Sequence, residues 1–308
     1  MAPSTAAVLV AFHWQLDLRQ TLHALIQAVG HVVLVDNAAP DASGAPERTA
    51  QFAGIAVTVL RAQNIGGLAG AYNRALAHLE AHAPAVQQIV FLDEDSDPGE
   101  LARFIDDPTV SELLQAAGTA AVAPAYRDRA TGLRGKYIEL SRFRLHYLSR
   151  SFTDLRRVAF VINSMSVWRI DALRRIGAFD EALGIDHVDT DYCLRARALG
   201  LAVYVHGGHV FDHAIGARKR FRLFGHEMQA GGHSAARRFL IARNTVWLAR
   251  RWCGREPAFA FLCLSRLAYE AVGIVMAEDK RAGKLLALLK GTVAGLSMRR
   301  ARQCRTGA

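Results

Sequence analysis

Three consecutive acids, Asp93-Glu94-Asp95, follow the apolar pair Phe91-Leu92 and precede Ser96. Adjacent carboxylates repel one another at neutral pH, and a cation relieves that repulsion. Hard oxygen ligands suit Mg²⁺ or Mn²⁺, which often share such sites with phosphates. In extended chain Asp93 and Asp95 project to one side and Glu94 to the other. A plain acidic turn is the competing reading, because Asp97-Pro98-Gly99 is turn chemistry.

Four other segments carry residues that could do chemistry. Asn64-Ile65-Gly66-Gly67 lies between a strand-like run and a helical one. Glycines there let backbone N–H groups approach a phosphate or ribose, although neither the GxGxxG nor the Walker pattern is present. Asp36-Asn37 closes another apolar run and is either a base or ribose contact or an ordinary turn. The stretch from Asp186 to Arg195 puts Asp186, Asp189 and Asp191 around a helix start. There an acid is either a cap or, for one of Asp189 and Asp191, a general base facing a cleft with Arg195 nearby. His206, His209 and His213 follow a strand; clustered histidines point to metal, with one ligand among the three favoured over all three.

The elements that must position these groups read as strands at Ala6–Phe12, Val32–Val35, Ile55–Leu60 and Gln88–Leu92. Helices are expected over Asp17–Val29, closed by Gly30, and over Gly67–His82. This β-α-β-α order predicts an α/β fold, a mostly parallel sheet flanked by helices, with ligands at the carboxyl ends of the strands. Further on, Gly135–Arg150 reads as a hairpin and Val158–Ile162 as a strand entering Asn163-Ser164-Met165-Ser166. Ile170–Ile176 and Val188–Leu199 read as helices and Ala202–Val205 as a strand. Composition turns Arg-rich beyond residue 215, where a domain boundary is expected.

Over 308 residues, 51% hydrophobic and 21% charged, one main domain plus an appendage is expected, and a disordered chain is excluded. The net charge of +10 is uneven. Residues 1–120 carry 5 basic against 13 acidic side chains, whereas residues 216–308 carry 19 against 5. The acidic front argues against nucleic acid as a partner, and the basic end suits anionic lipid, a phosphate-bearing acceptor or simply water. Cys193, Cys253, Cys263 and Cys304 show no paired spacing, which points to a reducing compartment and neither a disulfide framework nor a zinc site. Residues 1–10 lack the features of a signal peptide. The most apolar stretch, Pro257–Ala277, is interrupted by Arg266 and Glu270, so an interfacial helix is expected rather than a clear membrane span.

Taken in order, the motifs resemble the GT-A glycosyltransferases of the family 2 type, and within them the bacterial rhamnosyltransferase-like branch. The series is Val33-Leu34-Val35-Asp36-Asn37, Asn64 to Asn73, Phe91 to Ser96, Gly177-Ala178-Phe179-Asp180-Glu181 and Asp189 to Arg195. It continues with His213-Ala214-Ile215-Gly216 and Arg237 to Asn244, so that the resemblance spans roughly residues 6–250. It implies a GT-A catalytic domain over 1–215, with a nucleotide-binding part of about 1–120 and an acceptor part of about 121–215. A basic helical region over 216–308 completes the chain. Asp36, Asn64, Gly67 and Asp93 would line the donor nucleotide, with Asp93 near the ribose. Asp95 and His213 would hold the divalent cation, and Asp189 would be the catalytic base. Asp191, Arg195 and Arg243 are acceptor or secondary positions. Ala182-Leu183-Gly184 departs from the aromatic residues that relatives often carry there, which puts the acceptor and the sugar in doubt.

The implied activity is inverting transfer of a sugar, L-rhamnose from dTDP-L-rhamnose, onto a cell-surface glycan or lipid-linked saccharide. The implied place is the cytoplasm, with a peripheral position on the inner face of the cell membrane. Other readings stand beside it: another donor, such as a galactofuranosyl or other hexosyl transferase, or a non-catalytic glycan- or nucleotide-binding relative. A nucleotidyltransferase would be expected to show a Gly-rich basic loop where this chain has Phe12-His13-Trp14-Gln15. For the tail, Phe259, Phe261, Leu262, Leu264 and Leu267 offer apolar surface to a membrane, to the catalytic domain or to a second subunit of an oligomer.

Overall fold

The computed structural model describes residues 2–14, 18–38, 56–213, 219–223 and 225–299. Asp17, Ile55, Ala214-Ile215-Gly216 and Cys304 lie outside the described residues. The chain divides into two compact units, residues 1–140 with 146–215, and residues 141–145 with 216–308.

Strand β1 (Ala2–Ala11) is a near-continuous run of small and β-branched apolar residues, as a strand covered on both faces requires. Ala6 to Ala11 are buried accordingly. It pairs in parallel with β2 (Val29–Asp36) and β4 (Gln88–Asp93), and β2 pairs in parallel with β3 (Thr58–Arg61). Register sets Ala11 level with Asp36, Asp36 level with Arg61, and Val10 level with Asp93. The acids at the ends of β2 and β4 therefore emerge on one edge. The eight-stranded sheet is completed by β5 (Thr119–Asp128), β8 (Leu155–Val158), β9 (Val167–Arg169) and β10 (Ala202–His213), in the order β3-β2-β1-β4-β9-β5-β10-β8. It is the mixed, mostly parallel, helix-flanked sheet expected of a GT-A fold. Short strands β6 (Ile138–Leu140) and β7 (Leu145–Tyr147) form a separate pair within the stretch expected to be a hairpin.

Four boundaries differ from expectation. The first helix spans Arg19–Ala28 and Gly30 lies inside β2, because Val29 is already extended and pairs with Ala2. The expected strand over Val158–Ile162 is instead β8, which ends at Val158, antiparallel to β10. Strand β10 runs beyond Val205 to His213, with a register shift between His206 and Val210 at Gly207-Gly208. Strand β9 was not expected; it runs antiparallel between β4 and β5 and buries Trp168 completely.

The second unit contains the hairpin β11 (Lys219–Leu223) and β12 (His226–Ala230) and the helices Ala235–Trp252, Pro257–Ala277 and Arg281–Ser297. The first and last of these approach closely at Gly291 and Gly295. A Cβ there would lie 2.2 Å from the Phe239 carbonyl oxygen and 2.4 Å from that of Arg243. Arg238 is wholly buried and held by the Glu270 and Glu278 carboxylates. That pairing explains the acid inside the apolar helix Pro257–Ala277, which is long and apolar enough by composition to cross a membrane. Of the apolar residues expected to meet a membrane, the catalytic domain or a second subunit, Phe259 is 2% exposed, while Phe261 and Leu264 are 67% and 63% exposed. Tyr269 anchors the same helix to Gln229 of β12, donating to its carbonyl at 2.7 Å.

Candidate active site

The end of β4 is fixed by its neighbours before any ligand is considered. Ser96 donates its N–H to the Asp93 carbonyl (3.0 Å) and accepts the Asp93 N–H on Oγ (3.1 Å), so Asp93 to Ser96 form a closed turn. Ser96 Oγ also meets Ser164 Oγ, and Met165 donates its N–H to the Phe91 carbonyl at 2.7 Å. The small polar stretch 163–166 is therefore a brace for the acid turn. Glu94 turns away from its neighbours and accepts the N–H groups of Phe12, His13 and Trp14 at 3.2, 3.0 and 3.0 Å. Glu94 and Asp95 thus lie in a turn and not in the extended chain expected of them; Glu94 ties down the exit of β1, while Asp93 and Asp95 face His213.

Asp93, Asp95 and His213 offer ligand atoms that all lie within 4.8 Å of one another. His213 Nδ1 is 3.7 Å from Asp95 Oδ1. Burial, then the charges of Asp95, Asp189 and Glu94, raise the Asp93 carboxyl pKa to about 7. Carboxylates gathered this closely are a site that a divalent cation would relieve. Two carboxylates and one imidazole are a suitable donor set for Mn²⁺ or Mg²⁺. Beneath them Tyr72 is buried, and its hydroxyl pKa lies well above the ordinary value through burial and the charges of Asp93 and Asp189. Its ring packs against Phe91 and Phe179 at centroid distances of 4.6 and 5.1 Å. Asn163, 4% exposed, sits beside it.

Asp189 lies in the first turn of the helix Val188–Ala198, and its Oδ1 accepts the Thr190 N–H at 2.7 Å. Asp186 and His187 enter that helix with φ of 60° and 64°, a left-handed approach that turns the chain sharply into the first turn. Asp189 is half-buried and acts electrostatically on Asp93, whereas Asp191 is 1% exposed and paired with Arg195 at 3.2 Å. Arg195 also donates to the Ala178 carbonyl at 2.7 Å and lies over the Tyr192 ring. Of the acceptor or secondary roles expected for Asp191 and Arg195, this packing fits the secondary one. Both lie below the surface, where they brace the helix against the turn at 178.

Asp36 is 4% exposed, and its Oδ1 accepts from the Trp14 indole (2.9 Å) and the Ala38 N–H (3.2 Å). Asn37 donates from its side chain to Asn64 Oδ1 at 3.5 Å, so the ends of β2 and β3 share one polar edge. Asn64 is exposed and left-handed (φ 54°). Gly67 has a packing reason to be glycine: φ is 62°, and a Cβ would lie 2.4 Å from the Gly184 carbonyl oxygen. That same oxygen accepts the Leu68 N–H at 2.7 Å, so one of the free donors of the helix start is taken by protein. Asn73 completes the contact, donating to the Phe179 carbonyl and Glu181 Oε1 and accepting the Phe179 N–H at 2.8 Å. Sequence reasoning quoted Asn73 within a motif but gave it no role; nothing local marks it as a clamp on a loop 106 positions away. Arg243 belongs to the second unit, half-buried on the helix Ala235–Trp252, where burial lowers its pKa and its Nε donates to Asn244 Oδ1 at 2.9 Å. His206 and His209 do not join His213; they meet Asp107 instead.

No family model matches the chain. A stretch of 76 residues is 37% identical to the dTDP-rhamnosyl transferase RfbF of Shigella flexneri, covering 25% of this chain and 25% of that protein. The match therefore spans about a quarter of the curated relative. Among solved structures, the chain is similar to GalNAc-T7 with UDP, GalNAc and Mn²⁺, with a TM-score of 0.49 and 15% identity over 72% of this chain and 44% of that one. It is also similar to 4-diphosphocytidyl-2C-methyl-D-erythritol synthase, with a TM-score of 0.41 and 15% identity over 68% of this chain and 90% of that one. Similarity at this level has no bearing on chemistry.

Proposed function

We propose that this chain is an inverting glycosyltransferase of GT-A type that moves L-rhamnose from dTDP-L-rhamnose to a cell-surface glycan or a lipid-linked saccharide. The observation that carries the reading is the convergence of Asp93, Asp95 and His213 at the carboxyl ends of β4 and β10, with the charge of Asp189 felt at Asp93. The choice of donor is supported by the partial likeness to the rhamnosyl transferase.

On this reading Asp95 and His213 hold Mg²⁺ or Mn²⁺, which when bound supplies Lewis-acid stabilisation to the leaving diphosphate. Asp36, Asn64, Gly67 and Asp93 line the nucleotide and ribose, and the edge shared by Asn37 and Asn64 orients them. Asp189 takes the proton of the acceptor hydroxyl as its oxygen forms the new bond to the anomeric carbon. The bond from that carbon to the diphosphate breaks on the opposite face, so the configuration inverts. The hydrogen bond from Thr190 keeps the Asp189 carboxylate oriented. Asp191 and Arg195 fix the helix on which the base stands.

The basic second unit rests, on the same reading, against anionic lipid on the inner face of the cell membrane. Phe261, Leu264, Val275 and Met276 are exposed at helical spacing and form an apolar stripe on the helix Pro257–Ala277. Asp189→Asn tests the chemistry: transfer should fall by about 10³-fold or more while donor binding stays within a few-fold of wild type. Transfer retained in that variant would remove Asp189 as the base.

A further inference from the structure

We propose a second metal site, distinct from the acid turn and made by Asp107, His206 and His209, that takes a borderline divalent transition ion such as Zn²⁺. Its three ligand atoms all lie within 4.8 Å of one another, and His209 Nε2 is 3.0 Å from Asp107 Oδ2. Ligands on one tetrahedral zinc ion are separated by about 3.3 Å, given bonds of roughly 2.0–2.1 Å. Small side-chain shifts therefore suffice.

Local structure prepares each ligand. Asp107 is the N-cap of the helix Pro108–Gln115, and its Oδ1 accepts the N–H groups of Thr109 (2.8 Å) and Val110 (3.3 Å). Those bonds lock the carboxylate and leave Oδ2 directed at His209, which is the outer-sphere support that metal-binding carboxylates use. His206 and His209 are brought together by the irregularity in β10 at Gly207-Gly208, with ring centroids 4.9 Å apart. His209 packs edge-on against the buried Phe104 at 5.3 Å, which orients its ring. Gly208 donates its N–H to His206 Nδ1 at 3.1 Å. Coordination replaces that bond at Nδ1 or uses Nε2 after tautomer exchange, and the exposed Gly208 N–H then turns to water.

An ion pair between Asp107 and His209 accounts for two of the three groups, and His206 stands beside it with the Gly208 N–H on its Nδ1. Two adjacent imidazoles resist double protonation, and burial together with His209 lowers the His206 pKa. Two neutral imidazoles and one carboxylate suit zinc-like ions, whereas the oxygen-rich site at Asp93 and Asp95 suits Mg²⁺ or Mn²⁺. Bound metal would link β10, the strand that ends in His213, to the start of the helix Pro108–Gln115.

The test uses the full chain carrying Asp95→Ala and His213→Ala, stripped with chelator and titrated with Zn²⁺ against a chromophoric competitor. About one equivalent is expected to bind, with no displacement by excess Mg²⁺. Adding Asp107→Asn should weaken binding roughly tenfold or more while the circular dichroism spectrum stays unchanged, since asparagine caps a helix as well as aspartate does. His206→Gln should weaken it likewise. Absence of Zn²⁺ binding in the double variant, displacement by Mg²⁺, or binding indifferent to both added substitutions would overturn the site.

Discussion

At Asp93 the folded chain holds its proton up to about pH 7, while the ordinary value for the group is 3.8. The folded state thus binds more protons between these values, and stability falls as pH rises from about 4 to about 7 in metal-free protein. Asp93→Asn removes that cost. Its melting temperature in chelator should exceed that of wild type by more at pH 8 than at pH 4, as read by scanning calorimetry; an equal difference at both pH values would contradict the account. A divalent cation should shrink the pH 8 difference by stabilising the wild-type carboxylate. At this scale much of the site was legible. Asp93, Asp95 and Asp189 announce themselves because acids at strand ends and helix starts are local patterns. The separate fate of Glu94 comes from the turn that follows β4 and not from strand alternation, and its three backbone partners were hidden because they lie some 80 positions away. The burial of Asp191 and Arg195 was equally hidden, because Asp191 shares a helix start with other acids, Arg195 lies in the last turn of the same helix, and only packing tells which face turns inward.

Elements carry the site through contacts that no local pattern reveals. The helix Gly67–His82 is held to the turn at 179–184 by the Asn73 clamp and by the Gly184 carbonyl. Gly67→Ala should therefore cost roughly 2–4 kcal/mol, combining a left-handed backbone with a Cβ pressed on the Gly184 oxygen. Gly184→Ala, also left-handed but with open space around its Cβ position, should cost only about 1 kcal/mol. Urea unfolding midpoints compare the two, and equal losses would refute the close approach. The parallel half of the sheet was readable from its alternation of apolar runs and helices. Strand β9 was not, because three residues give no period. Its antiparallel course depends on the edges of β4 and β5 that receive it.

Across the whole molecule, charge separates the two functions proposed for the chain. The acidic residues concentrate in the first part, where a cation and a diphosphate are to be held, and the basic residues concentrate beyond 215. If the second unit meets anionic lipid, the full chain should float with vesicles containing phosphatidylglycerol and remain unbound to neutral ones. Phe261→Asp with Leu264→Asp should reduce flotation severalfold, and flotation unaffected by both would exclude that surface. The central claim meets its most direct test in a donor panel assayed for sugar release and transfer, with Mn²⁺ or Mg²⁺ and after chelation. The account predicts turnover of dTDP-L-rhamnose that is lost on chelation and restored by the ion. Turnover undiminished by chelation, or none with any nucleotide sugar, would contradict it.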